Sequence, residues 1–494
     1  MMARRDMSLR PYQADGIENA RVGAADGHRS QILYAPCGAG KTEMAIALMK
    51  SCADRGRRVA MVLDRIVLVN QTSARLDSYG IEHGVLQAGH WRYRPSERIQ
   101  ICSAQTLEKR GSFPGLDLLI IDEAHQTRKQ TKEFIKSNPQ VRVLGLTGSP
   151  FTKGLGQTFT NIVNVTNTDS LIKLGNLVPL RVFVAKEIDM TGAKKVAGEW
   201  SDSEVTERGI KITGDVVAEW VSKTHEIFGG PKKTIVFCAS VAHGDDLSRK
   251  FAEAGYNFVA ISYKDDDKYK ADVFEEFAKP DTSIHGLIAT DILTKGFDCP
   301  DVMIGISARP FSKSLSSHIQ QLGRVMRSFE GKEFGVWLDH SGNYLRFRED
   351  WEQVFSDGVS ALDDGKEKPK PEPSDREKKE AKCPKCGHLW GVGDVCSHCG
   401  FVREARNHVV SNPGALEELR VKAQNTKRAK QKFYSEVIGY SELKGFKPGW
   451  AYHKFIEKFG EPPSRLLKMS AQPSLETMNW IKSRMIAYRK RNAA

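Results

Sequence analysis

The chain has 494 residues, 40% of them hydrophobic, and carries a formal net charge of +13. One hydrophobic core cannot serve a chain of this length, so we expect about three domains. No run approaches the roughly 18 apolar residues of a membrane span, and the charged start lacks an apolar export segment. We therefore expect a soluble protein that is cytoplasmic or nucleoid-associated, is not secreted and has no membrane partner.

Residues 1–168 predict a parallel α/β domain. Longer amphipathic stretches separate its short aliphatic runs, which is typical of helices that connect parallel strands buried on both faces. The candidate strands are 31–35, 58–63, 98–102, 116–122 and 141–147.

A phosphate-binding loop follows the first of these strands. Residues 35–42 read APCGAGKT, which matches the pattern G-x-x-x-x-G-K-[ST] except that alanine stands at its first position. Backbone N–H groups and the N-terminus of the next helix hold phosphate in such loops. We predict that Gly38 and Gly40 let the backbone approach the phosphates, that Lys41 binds them and that Thr42 binds Mg²⁺.

Two adjacent carboxylates end the strand at 116–122. Asp122 and Glu123 lie 81 and 82 residues beyond Lys41. One carboxylate in such a pair can hold Mg²⁺ while its neighbour orients the attacking water, as phosphoryl transfer requires. We predict that Asp122 is the metal ligand and that Glu123 acts on the water.

A second α/β domain is predicted at 231–360, after a connecting segment at 169–230 that is expected to contain a strand pair around 178–185. The candidate strands of the second domain are 233–239, 257–262, 285–290, 302–308 and 334–339. Arg324 and Arg327 are three residues apart and share one face if helical. Two guanidinium groups so placed can stabilise a phosphoryl group in the transition state, as arginine fingers do.

Beyond the second domain the composition changes. Residues 361–382 are charged and contain prolines but no aromatic or β-branched side chain, so we expect an extended linker. Residues 383–401 contain two C-x-x-C pairs separated by nine residues, a spacing that predicts a zinc ribbon with a structural, tetrahedral Zn²⁺ site. The predicted ligands are Cys383, Cys386, Cys396 and Cys399.

Residues 402–494 form a basic tail, which we expect to be a mainly helical domain that binds nucleic acid. This tail contains 19 Lys and Arg against eight Glu and no Asp, so it holds 11 of the 13 excess positive charges. Such an excess indicates a polyanionic partner. Its aromatic side chains could stack on bases, but we favour a role in a small helical core for Phe446, Trp450, Phe455 and Phe459.

Taken together, these motifs resemble those of the superfamily 2 helicases of the DEAH-box kind, including phage and DNA-repair helicases that act on branched DNA. DEAH at 122–125 resembles motif II, and APCGAGKT resembles motif I, in which alanine commonly stands at the first position. HIQQLGRVMRS at 318–328 resembles motif VI. The resemblance covers most of residues 8–340 and implies two tandem RecA-like domains that use ATP and Mg²⁺.

The resemblance also implies roles for individual residues. It adds His125 and Gln320 to the catalytic set. LTGSP at 146–150 resembles the motif that couples hydrolysis to strand movement, although Gly148 and Ser149 depart from the usual sequence. The residues placed against the nucleotide are Gln13, Gly296 and Asp298. The residues placed against nucleic acid are Arg65, Thr106, Ser240 and Thr290.

The expected function is that of an ATP-dependent DNA helicase or translocase, stimulated by nucleic acid, that unwinds or remodels branched DNA in DNA repair or recombination. Its expected partner is single-stranded, forked or branched DNA, and the resemblance suggests 3′ to 5′ movement. One alternative is an RNA helicase of the same superfamily. Another is a translocase or clamp that does not unwind, or the motor subunit of a restriction system, since the chain contains no convincing nuclease motif.

Overall fold

The computed structural model describes residues 7–111, 113–185, 210–213, 215–290, 292–294, 299–311, 314–365, 399, 409–412, 415–419, 427–447, 449–459, 462–463, 466–474, 477–478, 480–481 and 484. The chain divides into two compact units. The first lies within Met1–Arg346 and Ser356–Glu418, and the second within Phe347–Phe355 and Leu419–Ala494. Among the described residues, no helix combines the length and the apolar character needed to cross a lipid bilayer.

The first domain is built on a seven-stranded parallel sheet with the order β3-β4-β2-β5-β6-β1-β7. Its strands are β1 Ser30–Tyr34, β2 Val59–Leu63, β3 Gly84–Leu86, β4 Ile99–Ser103, β5 Leu118–Asp122, β6 Arg142–Thr147 and β7 Asn161–Asn164. Its helices are α1 Pro11–Ala25, α2 Lys41–Asp54, α3 Ile66–Ser78, α4 Ala104–Arg110, α5 Lys129–Ser137 and α6 Thr168–Lys173. Short 3₁₀ turns cover Ala124–Gln126 and Leu155–Gln157.

The second domain has a seven-stranded sheet with the order β11-β12-β10-β13-β14-β8-β16, in which only β16 is antiparallel to its neighbour. Its strands are β8 Leu180–Ala185, β10 Thr234–Cys238, β11 Phe258–Ala260, β12 Gly286–Ala289, β13 Ile304–Ala308, β14 Gly335–Asp339 and β16 Leu416–Glu418. A separate parallel pair joins β9 Ile210–Thr213 to β15 Val409–Asn412. Its helices are α7 Val216–Phe228, α8 Val241–Glu253, α9 Asp267–Ala278, α10 Leu315–Val325 and α11 Asn343–Arg346, with a 3₁₀ turn at Ile292–Thr294. Most of the next helix, α12 Arg348–Asp357, belongs to the second unit.

The prediction of two parallel α/β domains is confirmed, and each of the ten strands predicted for them is present. Residues 178–185 differ from the prediction of a separate connecting segment, because β8 is an inner strand of the second sheet and pairs with β14. Helix α7 also belongs to the second domain. Its Trp220 is fully buried, donates to Thr234 Oγ1 at 2.8 Å and packs edge-on against Phe258.

The chain returns to the first domain after the second sheet is complete. Asn164 Nδ2 donates to the Val359 carbonyl at 2.7 Å, and the Val359 N–H donates back to Asn164 Oδ1 at 2.9 Å. The Gly156 N–H donates to the Asp363 carbonyl at 2.8 Å. Residues 359–365 therefore pack on the first domain, although the sequence assigned them to the end of the second domain and the linker.

Two strands in the predicted basic tail also pair outside it, since β15 joins β9 and β16 joins β8. The predicted boundary at residue 402 therefore lies too early in the chain. The later described residues of the second unit include α13 Lys427–Leu443 and α14 Trp450–Phe459. These helices share an apolar core that contains Phe433, Tyr434, Val437 and Phe455, with Trp450 and Phe459 packed against it.

Candidate functional site

The strand order of the first sheet brings the predicted catalytic residues to one edge. Strands β5, β6 and β1 are neighbours, and the carboxyl ends of parallel strands meet at the same edge. Asp122 ends β5, Thr147 ends β6, and the loop at 35–42 follows β1. The two carboxylates and the phosphate loop are therefore neighbours in space.

The loop has the conformation that phosphate binding requires. Gly38 and Gly40 have φ angles of +85° and +77°, which side chains rarely adopt. Lys41 Nζ turns back across the loop and donates to the carbonyls of Ala35 and Pro36 at 3.1 and 3.4 Å. Gly40 provides no side-chain cap for α2, so the first N–H groups of the helix suit an anion. These donors fit the phosphates of a nucleotide.

Ala35 fills the first position of this loop without strain. Its φ lies outside the left-handed region, so glycine is not required there. The Ala35 N–H donates to the Thr147 carbonyl at 3.1 Å. A Cβ atom on Gly148 would lie 3.0 Å from the Ala35 oxygen and 3.4 Å from Lys41 Nζ. The glycine at 148, which departs from the family motif, thus allows β6 to approach the loop closely.

Asp122 and Glu123 differ in their protonation. Burial and the neighbouring Glu123 charge raise the pKa of Asp122 well above its usual value. Burial also acts to raise the pKa of Glu123, but the approach of His125 Nδ1 to 3.2 Å from its Oε2 and the charges of Lys41 and Arg324 hold it below its usual range. Asp122 is half-buried, and a carboxyl group with a raised pKa close to Lys41 suits a divalent cation, which would favour its charged form.

Glu123 also has an unusual backbone. Its φ is +48°, the one positive value that a non-glycine residue has among the described residues. Such a conformation costs on the order of 1–3 kcal/mol and persists where surrounding contacts enforce it. The strained residue is the one predicted to act on the attacking water.

A chain of polar contacts leads from Glu123 across the cleft to the second domain. His125 Nδ1 lies 3.2 Å from Glu123 Oε2 and 2.9 Å from Thr147 Oγ1. The Ser149 N–H donates to Thr147 Oγ1 at 3.0 Å. Gln320 of α10 donates to Ser149 Oγ at 3.3 Å, and its Nε2 lies 3.5 Å from His125 Nε2. The structure therefore brings together the turn that contains Glu123 and His125, the LTGSP segment at 146–150 and the second domain.

Both predicted arginines face this site. The charge of Arg324 lowers the pKa of Glu123, which requires the two groups to be close. Arg327 is half-buried; burial lowers its pKa, and the Cys37 thiol acts on it in the opposite sense. The backbone of Arg327 forms a bridge with Leu177, whose side chain packs near Gly38. Lys41, Glu123 and the two arginines thus surround one space between the domains.

Cys37, to which the motif resemblance gives no role, lies against α10 from its position in the phosphate loop. A Cβ atom on Gly323 would lie 2.7 Å from Cys37 Cβ and 3.1 Å from its Sγ. A glycine at position 323 is therefore required for the two domains to meet as they do. The only sequence signal for this contact is that each residue lies inside a catalytic motif.

Gln13 lies beside the phosphate loop. Its side chain is buried, accepts from the Arg10 N–H at 2.8 Å and donates to the Ala39 carbonyl at 2.8 Å. A Cβ atom on Gly40 would lie 2.3 Å from Gln13 Nε2. This position agrees with the predicted nucleotide contact, while Thr42 is exposed at the start of α2.

The four predicted nucleic-acid contacts lie after neighbouring strand ends. Arg65 follows β2 and Thr106 follows β4 in the first sheet, while Ser240 follows β10 and Thr290 follows β12 in the second. Thr106 is only 8% exposed, and its N–H faces Ser103 Oγ. Ser240 caps α8 by accepting from the His243 N–H at 3.2 Å. These two side chains therefore also have local structural roles.

Some predicted site residues lie outside the described residues, namely Gly296, Asp298, Cys383, Cys386 and Cys396. Cys399 is described and is half-exposed. Within the described part of the chain, no group of three or more His, Cys, Asp or Glu side chains could hold a metal ion.

Two protein families match the chain in the order of its two sheets. Residues 6–152 match the family described as "Type III restriction enzyme, res subunit", and residues 221–329 match "Helicase conserved C-terminal domain". The chain belongs to the superfamily 2 helicases. Their domains imply nucleotide-driven helicase or ATPase activity, with ATP and Mg²⁺ as the cofactors.

One relative of this helicase is similar along most of its length. It is the "51.5 kDa protein" of Lactococcus phage (isolate 7-9), which is 25% identical over 432 residues. The match covers 84% of this chain and 86% of the phage protein.

Two solved structures share the fold. One is the fragment of a putative HsdR subunit of a type I restriction enzyme from Vibrio vulnificus YJ016, with a TM-score of 0.56 and 20% identity; the match covers 74% of this chain and 70% of that one. The other is the ATP-dependent type ISP restriction-modification enzyme LlaBIII bound to DNA, with a TM-score of 0.50 and 18% identity. The helicase spans 68% of its own length and 28% of LlaBIII in that match.

Proposed function

We propose that the protein is a DEAH-type DNA motor that moves along one strand in the 3′ to 5′ direction and unwinds or remodels forked or branched DNA. The observation that carries this proposal is the contact chain from Glu123 through His125 and Ser149 to Gln320. A residue that acts on the attacking water is thereby linked to the opposite domain. Loss of the γ-phosphate can then change the relative position of the domains, and stimulation by DNA can act through the same contacts.

Each residue of the cleft has a role in hydrolysis. Lys41 and the N-terminus of α2 bind the phosphates, and Glu123, whose low pKa keeps it ionised near neutrality, orients the attacking water. Arg324 and Arg327 stabilise the charge that develops on the transferred phosphoryl group. Thr42 and Asp122 would hold Mg²⁺, which neutralises phosphate charge when bound.

DNA is preferred to RNA as the partner because the LlaBIII structure is bound to DNA, and because the Vibrio vulnificus fragment is described as a putative subunit of a type I restriction enzyme. The same likeness favours a second candidate function, the motor of a restriction system that tracks along duplex DNA without separating its strands. A partner would then supply cleavage. The proposals differ in whether the strands part.

A strand-displacement assay separates these functions. Forked DNA, matched forked RNA and blunt duplex DNA are each incubated with ATP while phosphate release is followed in parallel. We expect displacement of forked DNA with a 3′ tail and weaker displacement of RNA. If duplex DNA stimulates ATP hydrolysis but no strand is displaced, the result would favour the motor of a restriction system. If only the RNA fork is displaced, the result would favour an RNA helicase. The Lys41→Ala variant is the control, because it lacks the phosphate ligand.

We also propose that the C-x-x-C pairs form a structural zinc ribbon with Cys383, Cys386, Cys396 and Cys399 as ligands. The support is their spacing, which suits four thiolates around one ion. The purified protein should contain about one equivalent of Zn²⁺ and release it to a thiol-modifying reagent. Cys386→Ser should lower this content, whereas Cys52→Ser, at a thiol outside the group, should not. Equal zinc content in both variants would contradict the site.

A further inference from the structure

Two aromatic side chains on the helicase domains are highly exposed. Trp91 and Tyr263 each leave 75% of their surface in contact with solvent. Neither residue belongs to a motif that the proposed function uses. Exposing so much aromatic surface is unfavourable, so a pair of such residues at related positions suggests a binding surface.

Trp91 lies at the carboxyl edge of the first sheet. The chain folds back after β3, so that the Val85 N–H donates to the Arg92 carbonyl at 2.9 Å. Trp91 precedes Arg92 and is therefore beside the carboxyl end of β3. Strand β3 is the outer strand next to β4, which is followed by Thr106.

Tyr263 has the corresponding position in the second domain. It follows β11, the outer strand next to β12, which is followed by Thr290. The first six strands of the two sheets have the same order when numbered within each domain, and β3 corresponds to β11. Each aromatic side chain therefore lies one strand outward from a predicted nucleic-acid contact.

The surroundings of both rings include cationic groups. The Arg92 guanidinium carbon lies 4.6 Å from the Trp91 ring centre, and Arg92 also pairs with Asp77 at 2.8 Å. In the second domain, Lys264 follows Tyr263 and lines a cavity of about 250 Å³ that Thr290 also lines. An exposed ring of this kind suits an unstacked base of a single strand. Lys264 is exposed and suits a phosphate, whereas Arg92 is only 11% exposed and is already paired with Asp77.

We propose that Trp91 and Tyr263 are base-stacking platforms for single-stranded nucleic acid, one on each domain at the outer end of the strand path. This inference rests on the proposed function and extends it to two specific contacts. Because the domains carry one platform each, a change in their separation changes the spacing of the bases held between them. Stacking is largely independent of base identity, which suits a motor that moves along any sequence.

The test measures the affinity of the full chain for fluorescently labelled single-stranded DNA. Loss of one stacked base costs about 5- to 150-fold in affinity, so we expect Trp91→Ala and Tyr263→Ala each to weaken binding by about tenfold. Trp91→Phe and Tyr263→Phe should retain most of the affinity. Phe329→Ala is the matched control. Phe329 is an aromatic residue that is 52% exposed, but it precedes β14 and so lies at the amino end of the strand, away from the carboxyl edge of the sheet.

An abasic strand distinguishes stacking from phosphate contact. Wild type and Trp91→Ala should bind an abasic DNA of the same length equally well, and the salt dependence of binding should not change, because no charge is removed. Binding to an RNA strand of the same length and sequence tests whether the platforms accept RNA bases as well as DNA bases. Basal hydrolysis without nucleic acid and the thermal unfolding midpoint should be unchanged and serve as folding controls.

The outcomes also separate this inference from the proposed function. If wild type neither binds single strands nor responds to them in hydrolysis, the proposed function fails. If wild type binds and responds but both alanine variants match the Phe329→Ala control, the stacking platforms alone are refuted. Equal losses on abasic and normal DNA would likewise refute stacking.

Discussion

The two sheets have the same order over six strands, but the two domains differ in the charged groups that they bring to the cleft. The first domain contributes Lys41 and the carboxylates Asp122 and Glu123, whereas the second contributes Arg324 and Arg327. In the function that we propose, nucleotide binding and water activation belong to one domain, and stabilisation of the transferred phosphoryl group belongs to the other. Hydrolysis by this proposed mechanism requires contact between the two domains, so domain movement can be linked to turnover.

The largest effect should come from removing the contribution of the second domain. Arg327→Ala should slow hydrolysis by about 10³- to 10⁵-fold while nucleotide binding persists, because arginine fingers act on the transition state. Lys41→Ala should instead abolish binding. Single-turnover hydrolysis and equilibrium binding of a fluorescent nucleotide measure the two properties. If both variants lose binding equally, the division of roles between the domains is wrong.

The contact between Cys37 and Gly323 offers a smaller and reversible effect. Gly323→Ala places a methyl group against Cys37, so the domains cannot meet as closely, and a displacement near 1 Å can cost about 10²-fold in kcat. The nucleotide affinity should change little. Adding Cys37→Gly should restore kcat because it removes the opposing Cβ atom.

Cys37→Ser is the matched control for this rescue. Serine keeps the Cβ atom, so it should not restore the Gly323→Ala variant. Recovery by both substitutions, or by neither, would show that the close approach of these two residues does not limit turnover.

The paired carboxylates of the first domain predict a dependence of stability on pH. Burial raises the pKa of Asp122 to about 7, so its stabilising contribution is complete below the ordinary Asp value and is lost as pH rises towards 7. Glu123 has a lowered pKa and titrates below this window. The free energy of unfolding of Asp122→Asn, relative to that of wild type, should therefore rise by about 1–3 kcal/mol between pH 5 and pH 8. Urea unfolding without nucleotide measures this difference. An unchanged difference across this range would contradict a raised pKa.

The smallest effect concerns the basic tail, which we propose to bind DNA through its charge. Lys444, Lys447 and Lys468 are exposed in the second unit. Replacing all three with Gln should lower the salt dependence of single-strand binding by about 0.7 for each lysine that contacts phosphate. Lys50, Lys173 and Lys279 provide a control with the same change in charge on the helicase domains. If the salt dependence of binding is equal in the two triple variants, the proposal that the tail binds DNA is contradicted.

Sequence patterns predicted the strands that are buried on both faces, because short uninterrupted aliphatic runs are typical of parallel strands covered by helices on both sides. They also located Lys41, Asp122 and Arg327, whose chemistry requires a fixed order and spacing. The sequence pattern did not reveal very short strands or the pairing of strands that lie far apart in the chain. Strand β8 lies more than 100 residues from its partner β14, and β3 has only three residues.

The contacts across the cleft could not be predicted for a related reason. Nothing in the residue types of Cys37 and Gly323 indicates that they meet, since 286 positions separate them in the chain. The conformation of Glu123 is similar, because tertiary contacts impose a positive φ on a residue that does not favour it. Motifs identify which residues react, while packing determines how they approach each other.

The pairing of β8 with β14 has a consequence for how the second domain can be isolated or exchanged between proteins. Strand β8 fills the place that β1 has in the first sheet, and β16 from the far end of the chain covers its other side. A recombinant fragment that starts at residue 231 would leave β14 paired with β13 alone and would expose the pocket that Trp220 occupies. An autonomous module would have to begin near residue 178 and extend through residue 418, so gene fusions or domain swaps joined at the apparent start of the helicase motifs should aggregate.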